Sequence, residues 1–118
     1  MRYADGFVIA VPKKNVAAYA RMSKKAGKIW KKYGALEYCE CVGDDLKVKF
    51  GVAFPRLAKT KPSETVVFSW IVYKSKRDRD RVNKMVMSDR AIAKMMKEPA
   101  IFDVKRMAYG GFKIIVDM

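Results

Sequence analysis

Glu64-Thr-Val-Val-Phe-Ser-Trp-Ile-Val-Tyr73 is the stretch on which the fold turns. β-Branched and aromatic residues fill it almost without interruption, the composition of a pleated surface that packs well. Because side chains alternate across a strand, Val66, Phe68, Trp70 and Val72 share one face and Val67, Ile71 and Tyr73 the other. Both faces are apolar, so a sheet containing this strand must be covered on two sides.

Upstream, residues 46–63 interleave Lys47, Lys49, Arg56, Lys59 and Lys61 with apolar residues and two prolines, which suits an exposed hairpin or a loop lying over the surface. A further strand is expected over residues 35–42, ended by the turn residues Gly43, Asp44 and Asp45. Before it, helical spacing puts Val16, Tyr19, Ala20, Ala26, Ile29, Trp30 and Tyr33 on one side and Lys14, Arg21, Lys25, Lys28 and Lys32 on the other, with Gly34 as the stop. The first strand is read over residues 3–11, closed by Pro12.

Downstream, a second helix is expected from Ser75, with Val82, Met85, Val86, Ala93 and Met96 inward, Ser88 capping a fresh start after Met87, and Pro99 closing it. Met85, Met87, Met95 and Met96 are read as packing residues. The last strand is placed over residues 104–116, where Gly110-Gly111 suggests a bulge or a close backbone approach.

The order strand, helix, strand, strand, helix, strand predicts an α+β, ferredoxin-like βαββαβ fold: a four-stranded antiparallel sheet with two helices on one face, in a single domain over residues 1–118. The second face is then bare. Four strands present an area on the order of 400 Å², where exposed apolar patches on monomers become unusual. A second copy is the simplest cover, and the expectation is a homodimer whose sheets face each other as an α/β barrel.

Composition narrows the setting. The chain has 118 residues, half of them apolar, the balance of one folded domain. No apolar run reaches the roughly 20 residues of a membrane span and no basic-then-apolar leader is present, so a cytoplasmic protein with no membrane partner is expected. Cys39 and Cys41 are read as free thiols, and without histidine no metal site or cofactor is expected. The 26 basic against 12 acidic residues give a charge of +14, and eight basic residues with no acid lie between Lys13 and Tyr33. Such a field attracts polyanions with little specificity.

The blocks Tyr3-Ala-Asp-Gly-Phe-Val-Ile-Ala-Val-Pro12, Gly34-Ala-Leu36 with Glu40-Cys41, Val66-Val-Phe-Ser-Trp-Ile71, and Phe102-Asp-Val-Lys-Arg-Met107 with Tyr109-Gly-Gly-Phe112 resemble the YbaA-like bacterial proteins. The likeness spans nearly the whole chain. It implies a dimeric α/β barrel of ferredoxin-like fold and brings no active site to carry over. Two departures stand out: Arg90 follows Ser88-Asp89 where the family pattern has proline, and the first helix is unusually rich in lysine.

Asp5, Glu40, Ser69, Arg106 and Tyr109 are polar residues inside otherwise apolar strands, where an unpaired charge is costly to bury. One reading pairs Asp5 or Glu40 with Arg106 to fix register within the sheet or across the dimer. The other gathers them with Trp70 in a pocket between sheet and helices, where a carboxylate beside apolar walls carries protons for a small apolar or aromatic molecule. The alternative function is RNA or DNA binding by Lys14, Arg21, Lys25, Lys28 and Lys32, joined by Lys76, Arg77, Arg79 and Arg81. It ranks second because the aromatic residues of that helix lie on its inward side and are not free to stack on bases.

Overall fold

In a computed structural model, which describes all 118 residues, the apolar stretch Glu64–Tyr73 is a central strand. It is β3. Ten residues of β1 (Tyr3–Pro12) lie antiparallel beside it, from Tyr3 opposite Tyr73 to Pro12 opposite Glu64. A single 3-10 turn then leads into α1 (Val16–Tyr33), and β2 (Glu37–Val42) pairs with the far side of β3. The one-turn helix α2 (Phe54–Leu57) occupies the connection to β3. After β3 come α3 (Lys76–Met87), α4 (Arg90–Met96) and β4 (Ala108–Lys113), which pairs with the outer side of β1. The sheet order β2-β3-β1-β4 is the ferredoxin-like arrangement the sequence implies.

Strand alternation decides the two faces. Asp5, Phe7, Ile9 and Val11 of β1 and Val67, Ser69, Ile71 and Tyr73 of β3 look toward the helices. There Ala26, Ile71, Tyr73, Val82, Val86 and Ile92 form one core, and Ile9, Val11, Tyr19 and Val67 a second. The opposite face carries Val8, Val66, Phe68, Trp70 and Val72, with Cys39, Cys41 and Phe112 beside them. Its end near α2 is covered from that helix: Phe54 reaches Phe68, ring centroids 5.9 Å apart, and Phe68 leans on Trp70 at 5.7 Å.

Several boundaries differ from the sequence reading. The second helix is two helices, as a fresh start after Met87 requires, but the cap is Asp89, whose carboxylate accepts the Ala91 N–H at 2.8 Å; the Ser88 hydroxyl instead donates back to the Lys84 carbonyl. This break resets the helical phase. Ile92 and Met95 therefore turn inward, while Ala93 and Met96 stay exposed; in α3 the inward stripe runs through Val82 and Val86 and leaves Met85 at the surface. In α1 the buried stripe runs through Ser23 and Gly27, and Ala20 lies at the surface.

The last strand is shorter than expected, because residues 104–106 form a 3-10 turn capped by Asp103 through the Lys105 N–H. Pairing through Gly110 and Gly111 is continuous, without a bulge. The glycine answers a close approach: a Cβ on Gly111 would lie 2.7 Å from a ring carbon of Tyr3. Beyond β4 the tail is tied to the start of β1, with the Arg2 guanidinium donating to both oxygens of Asp117 at 2.8 Å. No helix is long and apolar enough to cross a membrane.

Candidate functional site

β2 is an edge strand, and its alternation turns Tyr38 and Glu40 inward beneath α1 while Cys39 and Cys41 look outward. The Glu40 carboxylate accepts the Tyr19 hydroxyl at 2.8 Å on one oxygen and the Tyr38 hydroxyl at 3.0 Å on the other. It takes part in none of the ion pairs of the chain. Burial, reinforced by the neighbouring Glu40 charge, pushes both phenols above their ordinary range, so they remain donors at any physiological pH. Ser23 lies buried beside the two tyrosines, and Ser69 lies buried opposite Glu40 in the register.

Tyr38 reaches this position because Gly27 leaves room for its ring: a Cβ there would sit 2.7 Å from Cδ1 of Tyr38. Over the pair opens a groove of about 680 Å³ lined by Ala20, Ser23, Gly27, Tyr38 and Glu40 and rimmed by Lys24, Lys28 and Lys31. Lys31 is partly committed, donating to the Leu36 carbonyl at 2.7 Å. The floor is thus an anionic acceptor held by two phenols, and the rim is cationic.

Asp5 is buried on the same face, across Ile71 from Tyr38, and is neutralised there. Arg79 of α3 donates to it at 2.8 Å and lies over the Tyr3 ring, 4.9 Å from its centroid. Beside it, Asn83 Oδ1 accepts from the Tyr73 hydroxyl and from Trp30 Nε1, each at 3.1 Å. No fully buried polar atom in this cluster is left without a partner, and the arrangement holds α3 against the sheet.

Within the chain neither Asp5 nor Glu40 pairs with Arg106, which corrects the expectation of such a pair inside the sheet. Arg106 grips Glu64 with two hydrogen bonds, at 2.8 and 2.6 Å, and also donates to Asp103 and to the Lys59 carbonyl, because the turn at 104–106 carries it past the mouth of β3. Those bonds, with the Lys61 N–H, hold the Glu64 carboxyl down at about 2. Trp70 faces away from the helices, opposite Gly6 and Cys39, and does not join Asp5 and Glu40. Tyr109 is on the helix side but at the exposed edge, its ring stacked on Phe7 at 6.0 Å.

Lys14, Arg21, Lys25, Lys28 and Lys32 are all exposed on α1, and Lys32 alone among them has an acid nearby, Asp89 at 3.9 Å. Tyr19, Tyr38, Lys24 and Glu64 escaped the sequence reading as site or pairing residues, and Arg79, read there as part of the basic surface, is committed to Asp5. One signal was available: Arg79 precedes Val82 and Val86 by three and seven positions, so it stands on the inward stripe of α3.

A family profile described as "Protein of unknown function (DUF1428)" matches residues 2–104. The chain belongs to this family. Uncharacterized protein YbaA of Escherichia coli K12 is 44% identical to it over 117 residues, 99% of each chain. Among solved structures, a putative antibiotic biosynthesis monooxygenase from Nitrosomonas europaea superposes with a TM-score of 0.61 at 10% identity, over 97% of this chain and 90% of that one. A nipsnap family protein with unknown function from Agrobacterium tumefaciens gives 0.59 at 13% identity, over 96% and 87%. At such identities these two neighbours establish the shared fold and nothing about chemistry.

Proposed function

We propose that this member of the family works as a homodimer that binds a small organic molecule in the groove between α1 and β2, with Glu40 accepting a proton from the ligand. The observation that carries this reading is the Glu40 carboxylate itself, held by two tyrosine hydroxyls and left without a cation at the floor of a lysine-rimmed groove. A half-buried carboxylate held by two phenols and paired with no cation is available to a ligand that enters the groove.

The lining also selects the ligand. Six of its eight residues are polar, so it suits a molecule with an anionic group for Lys24 and Lys28 and a hydroxyl or amine for Glu40, rather than a wholly apolar one. Proton transfer then moves one hydrogen from an acidic hydroxyl or an ammonium group of the ligand to a carboxylate oxygen, leaving the ligand one charge more negative beside the lysines. Dimerisation is favoured by the second sheet face, where Trp70 and Phe112 have no helix over them and Phe68 meets only Phe54 of α2.

Native mass spectrometry of protein taken straight from cells tests both parts, with two copies of the 13.5 kDa chain and a bound small acid as the expected result. For the groove alone, 4-hydroxybenzoate should perturb the Tyr38 and Glu40 resonances more strongly than phenol or benzoate does, and Glu40→Gln should abolish that preference. Equal response to the three probes would overturn the reading.

Nucleic-acid binding is the second reading, and the run of exposed lysines along α1 with almost no acid beside it favours it. It ranks lower because Tyr19, Trp30 and Tyr33 are directed into the protein, leaving charge without a stacking platform.

A further inference from the structure

The connection between β2 and α2 is unlike any other part of the chain. Residues 44–52 make no backbone and no side-chain hydrogen bond at all. Yet Leu46-Lys-Val-Lys-Phe-Gly-Val52 alternates apolar and basic or small residues with the period of a strand. Its apolar parity is Leu46, Val48, Phe50 and Val52.

Both ends of this segment are fixed on the open sheet face. Leu46 packs over Gly43 beside Val66, and Phe54 lies on Phe68; together with Cys41 they line one shallow depression of about 280 Å³. The middle touches nothing comparable. Phe50 is 90% exposed, and Val48 and Val52 are both more than half exposed. A strand-patterned chain with unmade hydrogen bonds and bare apolar side chains lacks the partner its sequence is written for.

We infer that residues 46–52 are an intermolecular arm that docks on the second copy, laying Val48 and Phe50 against the partner's open sheet face and its backbone along the partner's unpaired β4 edge. The inference rests on the dimer proposed above and goes beyond it, because it assigns part of the interface to a segment that has no place in the monomer. Three observations favour a second copy over other occupants. The arm is continuous with the bare face that dimerisation covers. Both outer strands of the sheet leave one edge free to accept a further strand. Finally, Phe50, Phe54, Phe68 and Phe112, exposed by 90, 42, 43 and 61%, offer on the order of 450 Å² of aromatic surface, about half of what one partner contributes to a standard interface. Lys47 and Lys49 fall on the opposite parity, where they remain in water and restrict growth beyond the pair.

The test uses the full chain. With a benzoylphenylalanine photo-crosslinker in place of Phe50 and a mixture of light and heavy-isotope protein, the expected product is a light–heavy cross-link mapping to β4 or to the open face of the partner. In parallel, Val48→Asp with Phe50→Asp should raise the dimer dissociation constant at least about tenfold in sedimentation, as loss of an interface anchor does, and leave the far-ultraviolet circular dichroism of the monomer intact. Cross-links confined to single chains, or a double variant that dimerises as tightly as the parent, would overturn the arm while leaving the dimer standing. A parent protein that is monomeric at micromolar concentration would overturn both. Loss of affinity for a single-stranded oligonucleotide with dimerisation unchanged would reassign the segment to nucleic acid and overturn it as well.

Discussion

At the scale of single residues, Gly27 and Glu64 give the sharpest expectations. Replacing Gly27 by alanine sets two effects against each other: about 1 kcal/mol is gained in helix propensity, and roughly 1–3 kcal/mol is lost when a methyl group is forced against a packed ring. The added carbon meets Tyr38 at 2.7 Å, inside any normal contact, so the loss wins. Gly27→Ala should lower stability by about 1 kcal/mol in urea unfolding and release the Tyr38 hydroxyl from Glu40. Glu64 concerns pH. Its carboxyl lies at about 2 in the folded chain against an ordinary 4.5, chiefly through the hydrogen bonds from Arg106. A depressed pKa favours the folded state wherever the group is ionised, so this contribution is complete above about pH 4.5 and fades as pH falls toward 2. The urea midpoint of the parent should therefore drop more steeply over that interval than that of Glu64→Gln; parallel curves would show the pair to be idle. Sequence alone pointed to Asp5, Glu40 and Arg106 as polar residues needing partners, and all three have them. It could not name the partners, because Arg79, Tyr19 and Glu64 come from elements whose relative placement only the folded sheet fixes.

Among the elements, the junction of α3 and α4 is the one most dependent on a single side chain. Asp89 caps α4 through the Ala91 N–H and also accepts the Tyr33 hydroxyl from the end of α1 at 2.6 Å. A lost cap costs about 1 kcal/mol and a stranded hydrogen-bond donor a similar amount. Asp89→Ala should thus destabilise by about 2 kcal/mol, measured by thermal melting, whereas Ser88→Ala should change little. β1, α1 and β3 were legible in the sequence because each keeps one periodicity from end to end. Where two helices meet at an angle, one periodicity cannot describe both, and Ala93 and Met96 were assigned to the core on a phase that Asp89 resets. The final strand was overextended for a related reason: Asp103 and Arg106 satisfy backbone and side chain locally, a choice that apolar spacing does not reveal.

For the molecule as a whole, charge and the bare sheet face pull in different directions. A net charge of +14 makes two copies repel, so association has to come from apolar surface and backbone pairing, and added salt should tighten the dimer by screening that repulsion. Binding to nucleic acid driven only by the α1 lysines should do the opposite and weaken steeply between 50 and 200 mM salt, roughly as the count of neutralised phosphates. Sedimentation and oligonucleotide titration over one salt series separate the two. The paired β1 and β3 strands bear on how the chain is made. Each of their ten pairs joins residues more than fifty positions apart, and β4, which completes the other side of β1, follows still later in the chain. During translation the greasy strand β1 must therefore wait, unpartnered, until β3 and β4 have left the ribosome. A slow-folding nascent chain of this kind is vulnerable to aggregation, and its yield in cells should depend on chaperone supply more than its final stability suggests.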